Sequence, residues 1–351
     1  MWKHISCIGF VILNFQAFRA DGQMCPVADD IAPCHCLKDA VTKKLDLDCS
    51  NVLDSWQLER IFQARFPSPA FREFTMAGTE GHRVPIVYLA DGVFGNLSFA
   101  SVVIKYTNIS HVGEKVFEKS YDTLESLTLS YSDLQVYPAT NLRYFSTLSL
   151  LDLSYNKMVF LQDIYSLSLQ ILNVEHNEHL AFSDKLLTVV PSLLEMSLAS
   201  CGIESIPPGL FSSAEVLSNV NMGGNKLTHL EGNALAFSSN AVLEIILSDN
   251  EISRADKDFI SGTSASANLV LMNNRLEELS EAVWRPILQY LDDEKGSGFV
   301  TLDGNPFFCG CKLAWLVTSP GLLNYVARGA ACEDGSLIHD LNPEYFLDHC
   351  Y

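Results

Sequence analysis

Apolar and polar positions follow one recurring order through the middle of the chain. LSLLDLSYNKM from Leu148, LQILNVEHNEHL from Leu169, LLEMSLASCGI from Leu193, LSNVNMGGNKL from Leu217 and VLEIILSDNEI from Val242 all fit L-x-x-L-x-L-x-x-N. The three L positions are apolar, and a polar anchor closes each unit. The anchors are Asn156, Asn177, Cys201, Asn225, Asn250 and Asn274, with gaps of 21, 24, 24, 25 and 24 residues. An apolar residue returns two positions after each anchor, or three after Asn177. Weaker units precede these: LESLTLSYSDL with Ser132 at the anchor, FASVVIKYTNI with Thr107, and FREFTMAGT with Thr79. Asn305, after GFVTLDG, closes the series.

Alternation within L-x-L sends the leucines to one face of a strand and the intervening residues to the other. Each unit therefore predicts one short strand, and units stacked in parallel predict one curved sheet. The anchor asparagine serves backbone groups left unpaired where the chain leaves the strand. A period of this length signals leucine-rich repeats. The expected fold is α/β: a leucine-rich-repeat solenoid with a curved parallel sheet and an irregular convex side. Phe94, Phe117 and Phe211, in the return segments, are expected to fill the core from that side. Cys201 is expected to be a buried anchor and not a reactive thiol.

With 351 residues and 48% hydrophobic composition, the chain suits an elongated array, in which each unit needs only its neighbours. The first 22 residues read as a secretory signal. Lys3 and His4 form the polar start, ISCIGFVILNFQAF the apolar run, and Ala20 and Gly22 the small residues; the spacing fits cleavage just before Gln23, with cleavage before Asp21 as the alternative. That run is shorter than the roughly 20 residues a spanning helix needs, and no later segment could span a bilayer. The formal charge of −19 argues against nucleic acid or anionic lipid as a partner. These features predict a secreted, extracellular protein.

Cysteine usage agrees. Of ten cysteines, Cys7 lies in the signal and Cys201 stands alone; Cys25, Cys34, Cys36 and Cys49 cluster early, and Cys309, Cys311, Cys332 and Cys350 late. In a secreted chain such groups read as disulfides and not as redox or zinc sites. An open repeat array exposes apolar faces at both ends, and the cysteine groups lie where caps are needed. The expected organisation is a signal (1–22), an N-terminal cap (23–65), repeats (66–304) and a C-terminal cap (305–351).

NPFFCGCKLAWL…ACEDG…DHC resembles the cysteine-rich C-terminal cap of extracellular leucine-rich-repeat proteins. That resemblance implies Cys309–Cys332 and Cys311–Cys350, with Trp315 packed over the last repeat. The early group resembles the matching N-terminal cap, with a longer first gap, and implies Cys25–Cys36 and Cys34–Cys49.

No catalytic, cofactor or metal constellation emerges. H-E-x-x-H, G-x-S-x-G and a phosphate-cradling glycine loop are all missing from the sequence. His176 and His179 flank the anchor Asn177, where the chain turns, so their rings are expected to diverge. NLS at Asn96 and NIS at Asn108 are glycosylation sequons. Ser297, in DDEKGSGF, lies in a setting that resembles a glycosaminoglycan attachment site; a loop with flexible glycines is the plainer reading.

The expected partner surface is the concave face. Its central outward positions are small and polar: Ser126, Thr128, Ser130, Asp152, Ser154, Asn173, Glu175, Ser197, Asn219 and Asn221. Beside them, one position before four consecutive anchors, stand Tyr106, Tyr131, Tyr155 and His176. Tyrosine gives large contact area with little entropy loss, so this row is the expected partner-binding surface; a packing ladder is the alternative.

The N-terminal portion adds a closer likeness. DIAPC (Asp30–Cys34), LDCS (Leu47–Ser50) and L-x-R-I-F (Leu58–Phe62) resemble a group of secreted arthropod leucine-rich-repeat proteins, named for the non-catalytic subunit of Oplophorus-luciferin 2-monooxygenase. The resemblance covers nearly the whole chain from Cys25 to Cys350. It implies a non-catalytic protein-binding scaffold, with a catalytic subunit as candidate partner. The other readings are an extracellular recognition or matrix protein without an enzyme partner, and an enzyme whose turnover would depend on His176 or His179.

Overall fold

The computed structural model describes residues 24–350; the signal segment expected over residues 1–22 lies outside them. One twelve-stranded sheet runs the length of the described chain. Its strands are β1 (His35–Lys38), β2 (Leu45–Asp48), β3 (Ala70–Ala77), β4 (Ser98–Lys105), β5 (Ser126–Ser130), β6 (Leu150–Asp152), β7 (Ile171–Asn173), β8 (Glu195–Ser197), β9 (Asn219–Asn221), β10 (Val242–Ile246), β11 (Thr263–Val270) and β12 (Val300–Thr301). They lie side by side in sequence order. β1 pairs antiparallel with β2. Every later neighbour is parallel, for example β3 with β4 and β8 with β9. The protein is thus a leucine-rich-repeat solenoid.

Register explains the core. Leu47, Phe74, Val102, Leu127, Leu151 and Leu172 are partners across successive strands. Met196, Val220, Ile245, Leu269 and Val300 continue the row. All eleven are buried. Burying each such side chain stabilises the fold by about 1.5–3 kcal/mol, and a one-residue slip would turn the whole row to solvent. Phe94, Phe117 and Phe211 close the core from the convex side, each buried. The return segments there are turns and short parallel pairs, such as Phe160–Leu161 with Ala181–Phe182.

A second ladder runs where the chain leaves the sheet. Each anchor asparagine accepts from a main-chain amide of the unit before and donates to carbonyls. Asn156 Oδ1 accepts from Leu134 N at 3.1 Å, Asn250 Oδ1 from Leu227 N at 3.0 Å, and Asn305 Oδ1 from Leu276 N at 3.0 Å. Asn156 Nδ2 donates to Leu129 O at 2.7 Å and Leu153 O at 2.9 Å. Thr107, Ser132, Asn156, Asn177, Cys201, Asn225, Asn250, Asn274 and Asn305 are all buried. Thr79 breaks the expectation: it is exposed, and its main chain exchanges hydrogen bonds with His82. A small hairpin at 79–82 interrupts that unit, and the chain rejoins the ladder at Val84, which bridges to Thr107.

Helices are few. α1 (Ala28–Ile31) and α2 (Ser55–Phe62) precede the repeats, α3 (Glu281–Asp293) lies between β11 and β12, and α4 (Ala314–Val317), α5 (Pro320–Leu323) and α6 (Pro343–Cys350) follow the last strand. Asp54 caps α2 by accepting from Gln57 N at 2.7 Å. Leu58, Ile61 and Phe62 then face the core, where Phe62, Phe74, Phe94 and Phe99 pack edge to face at 5.0–6.1 Å between centroids. Disulfides join Cys25 to Cys36 and Cys34 to Cys49 at this end. At the other end they join Cys309 to Cys332 and Cys311 to Cys350. Trp315 is buried there and donates from Nε1 to Leu279 O at 2.9 Å. Among the described residues no helix is long and apolar enough to cross a membrane.

Candidate functional site

The residue before each anchor has a left-handed backbone. φ is +51° at Tyr106 and Tyr131 and +54° at Tyr155, His176 and Ser200. Gly224, Asp249, Asn273 and Gly304 continue at +66°, +56°, +54° and +73°. This kink carries the chain out of the strand and turns the anchor inward. Glycine adopts it freely, and asparagine and aspartate tolerate it, but it costs an ordinary side chain about 1–2 kcal/mol. From Gly224 onward the units use residues that fit, and Ser200 has a small side chain. The early ones place three tyrosines and a histidine there.

Those four rings form a stack. Centroids of Tyr106 and Tyr131 are 4.7 Å apart, of Tyr131 and Tyr155 4.2 Å, and of Tyr155 and His176 4.1 Å; the planes diverge by 8–23°. Aromatic pairs contribute about 0.5–1.5 kcal/mol beyond their buried area, so three contacts offset part of four kinks. Burial chiefly, and then the hydrogen bond with Tyr155, push the Tyr131 phenol above its ordinary pKa. The tyrosines are half-buried and His176 is exposed.

The stack stands at the margin of the concave face, where the strands end, and forms the floor of a groove of about 340 Å³. Sequence periodicity did not single out its charged wall. Asp133 accepts from Lys157 Nζ at 2.6 Å and from Arg83 Nη1 at 3.3 Å. Arg83 also donates from Nη2 to Tyr131 O at 2.7 Å, tying the interrupted early unit to the row. Glu80 and Glu178 stand at the two ends. Asp133, Lys157 and Glu178 each follow an anchor directly, so the signal was present one column along. Next to the stack, Thr128, Ser130 and Ser154 are buried, unlike the open positions expected for them. The stack thus takes over surface that the small residues were expected to present.

The remaining sequence candidates lie elsewhere. Asn96 is exposed in a return segment; Asn108 is half-buried in the column that continues through Asp133. His179 lines a groove of about 430 Å³ with His176, and among the described residues no group of three or more His, Cys, Asp or Glu is placed to hold a metal ion. Ser297 is exposed, but its flanking glycines are not there for flexibility: a Cβ at Gly296 or Gly298 would collide with the β11 backbone at Ala265 or Ala267. Cys201 is buried and donates from Sγ to Val174 O at 3.2 Å. Burial pushes its thiol pKa up to about 11.

Compared with known proteins, the chain is 29% identical to the Oplophorus-luciferin 2-monooxygenase non-catalytic subunit of Oplophorus gracilirostris, over 100% of this chain and 94% of that one. The likeness carried by the N-terminal motifs therefore extends through the repeats and both ends. No protein-family model matches the chain. Among solved structures, a chain of the octameric complex of Latrophilin 3, Unc5D and FLRT2 (LRR) superposes with TM-score 0.66 at 19% identity, covering 86% of this chain and 89% of that one. A chain of the Drosophila Toll–Spätzle complex gives 0.52 at 17% identity, covering 80% of this chain and 43% of that one. These two likenesses concern the fold alone.

Proposed function

We propose that the protein is a non-catalytic scaffold that works outside the cell, and that it holds a protein partner on the tyrosine row and the adjoining concave face. A catalytic subunit is the partner class that the luciferin-monooxygenase relative suggests. The observation that carries the reading is the stack itself: bulky rings occupy a backbone position that favours small residues, and they line an open groove. Strained positions of this kind cluster at binding sites, and tyrosine is enriched among interface anchors. Four disulfides support the extracellular setting, because such cross-links persist in oxidising compartments.

The test is a double variant. Tyr131 and Tyr155 have a ring on each side, so they should be the anchors. Truncating a true anchor costs about 2 kcal/mol or more, and 1.4 kcal/mol is already tenfold in affinity. Tyr131→Ala with Tyr155→Ala should weaken binding to the partner cross-linked from native secretion by more than tenfold, measured at a temperature where the variant is still fully folded. Full affinity with reduced thermal stability would make the row a packing ladder and send the search to the convex side.

A further inference from the structure

The two ends of the ring stack differ. Before Tyr106 the corresponding residue is Gly78, and a Cβ there would collide with His82 O and Tyr106 O. The 79–82 hairpin closes that end. After His176 the next two residues in the column are Ser200 and Gly224, and a Cβ at Gly224 would lie against Ser200 Oγ. No ring follows, so the outer face of the exposed imidazole is left without a stacking partner among the described residues.

Charge around this open end is one-sided. Glu178 lines the groove with His176 and takes part in no ion pair among the described residues. Lys157, the nearest cation of that groove, is held by Asp133 at 2.6 Å. From β6 to β12 the outward strand positions present Asp152, Glu195 and Glu244, with Glu175 two residues beyond the end of β7, and no lysine or arginine. A flat ring face beside unpaired carboxylates suits a planar cation. Guanidinium stacks on aromatic faces and pairs with carboxylate in a fixed fork, whereas an ammonium is a compact, strongly hydrated point charge.

We infer that the open end of the stack docks an arginine of the protein partner, its guanidinium lying as the fifth ring on His176 and paired with Glu178, with the concave carboxylates selecting a basic partner surface around it. This rests on the reading of the row as a partner surface, and deepens it by naming what the partner brings.

The experiment uses the full secreted chain and short blocked peptides, glycine pentamers with one central arginine, lysine, citrulline or tryptophan. Histidine ring signals are followed by NMR at about pH 8, where a free imidazole is mostly neutral; His176→Ala identifies the signal by its loss. The arginine peptide should shift the His176 ring at a concentration at least threefold below that needed for lysine, and citrulline should leave it unmoved. Glu178→Gln, exposed and outside the core, should weaken the arginine response at least fivefold. Equal responses to arginine and lysine, a tighter response to tryptophan, or no shift at His176 would each overturn the inference. If the peptides fail but the double tyrosine variant loses the native partner, the row stands and only the arginine falls. If the arginine peptide behaves as expected but the double variant keeps its partner, the broader reading fails instead.

Discussion

Asn225 does for its turn what no apolar residue could. Its Oδ1 accepts from Cys201 N at 2.9 Å and Ile203 N at 3.0 Å; its Nδ2 donates to Leu198 O at 2.9 Å and Met222 O at 2.8 Å. Asn225→Ala would strand these main-chain groups in the core, and each such loss costs about 1–3 kcal/mol. We expect at least about 3 kcal/mol of destabilisation, read as a lower urea midpoint at unchanged slope. An unchanged midpoint would mean that water replaces the side chain at no cost. Cys201 shows the complementary case. Its thiol donates but supplies little acceptor, and the chain adjusts: the extra residue after Asn177 lets Leu180 N reach Cys201 O at 3.2 Å, in addition to Asn177 O at 3.0 Å. The anchors were legible because their chemistry is confined to one residue type at one spacing. The Thr79 hairpin was not, because FREFTMAGT satisfies the same pattern while the five residues after it decide where the chain goes.

At the scale of elements, the caps have the least redundant support. β12 has two residues, and Trp315 reaches back to Leu279 across it. Cys311–Cys350 closes a loop of 39 residues and fastens α6 beside α4. Removing a native disulfide from a secreted domain typically costs about 2–5 kcal/mol. Cys311→Ser with Cys350→Ser should therefore lower the melting temperature by several degrees and expose apolar surface at that end, measurable by binding of a fluorescent apolar dye. A melting point equal to the parent's would show that packing alone holds the cap. The cap positions could be read from cysteine spacing. The pairing within each group could not, since four cysteines allow three connectivities; it followed only from likeness to other capped arrays. The stack's position was legible as a sequence column, but its left-handed backbone was not, because side-chain identity at Tyr106, Tyr131 and Tyr155 argues against that conformation.

As a whole molecule, the array is a line of neighbours. Each unit touches the one before and the one after, so opening should begin where a unit has one neighbour and not two. Amides of β7 to β9, with the buried Leu172, Met196 and Val220, should exchange with solvent most slowly, and those of β1 and β12 sooner, even with all disulfides intact. Uniform exchange along the sheet would instead mean one all-or-none unit. The open groove survives within this line because the ring stack bridges four successive units.

The reversed first strand has a further consequence. A sheet of parallel strands is a template at both edges, and another chain can in principle continue it without limit. Here the outermost strand, His35–Lys38, runs against its neighbour and carries a cation at its end. A second copy arriving at that edge would meet a short border of opposite polarity, so the repeat that builds the molecule gives no instruction for building a fibre.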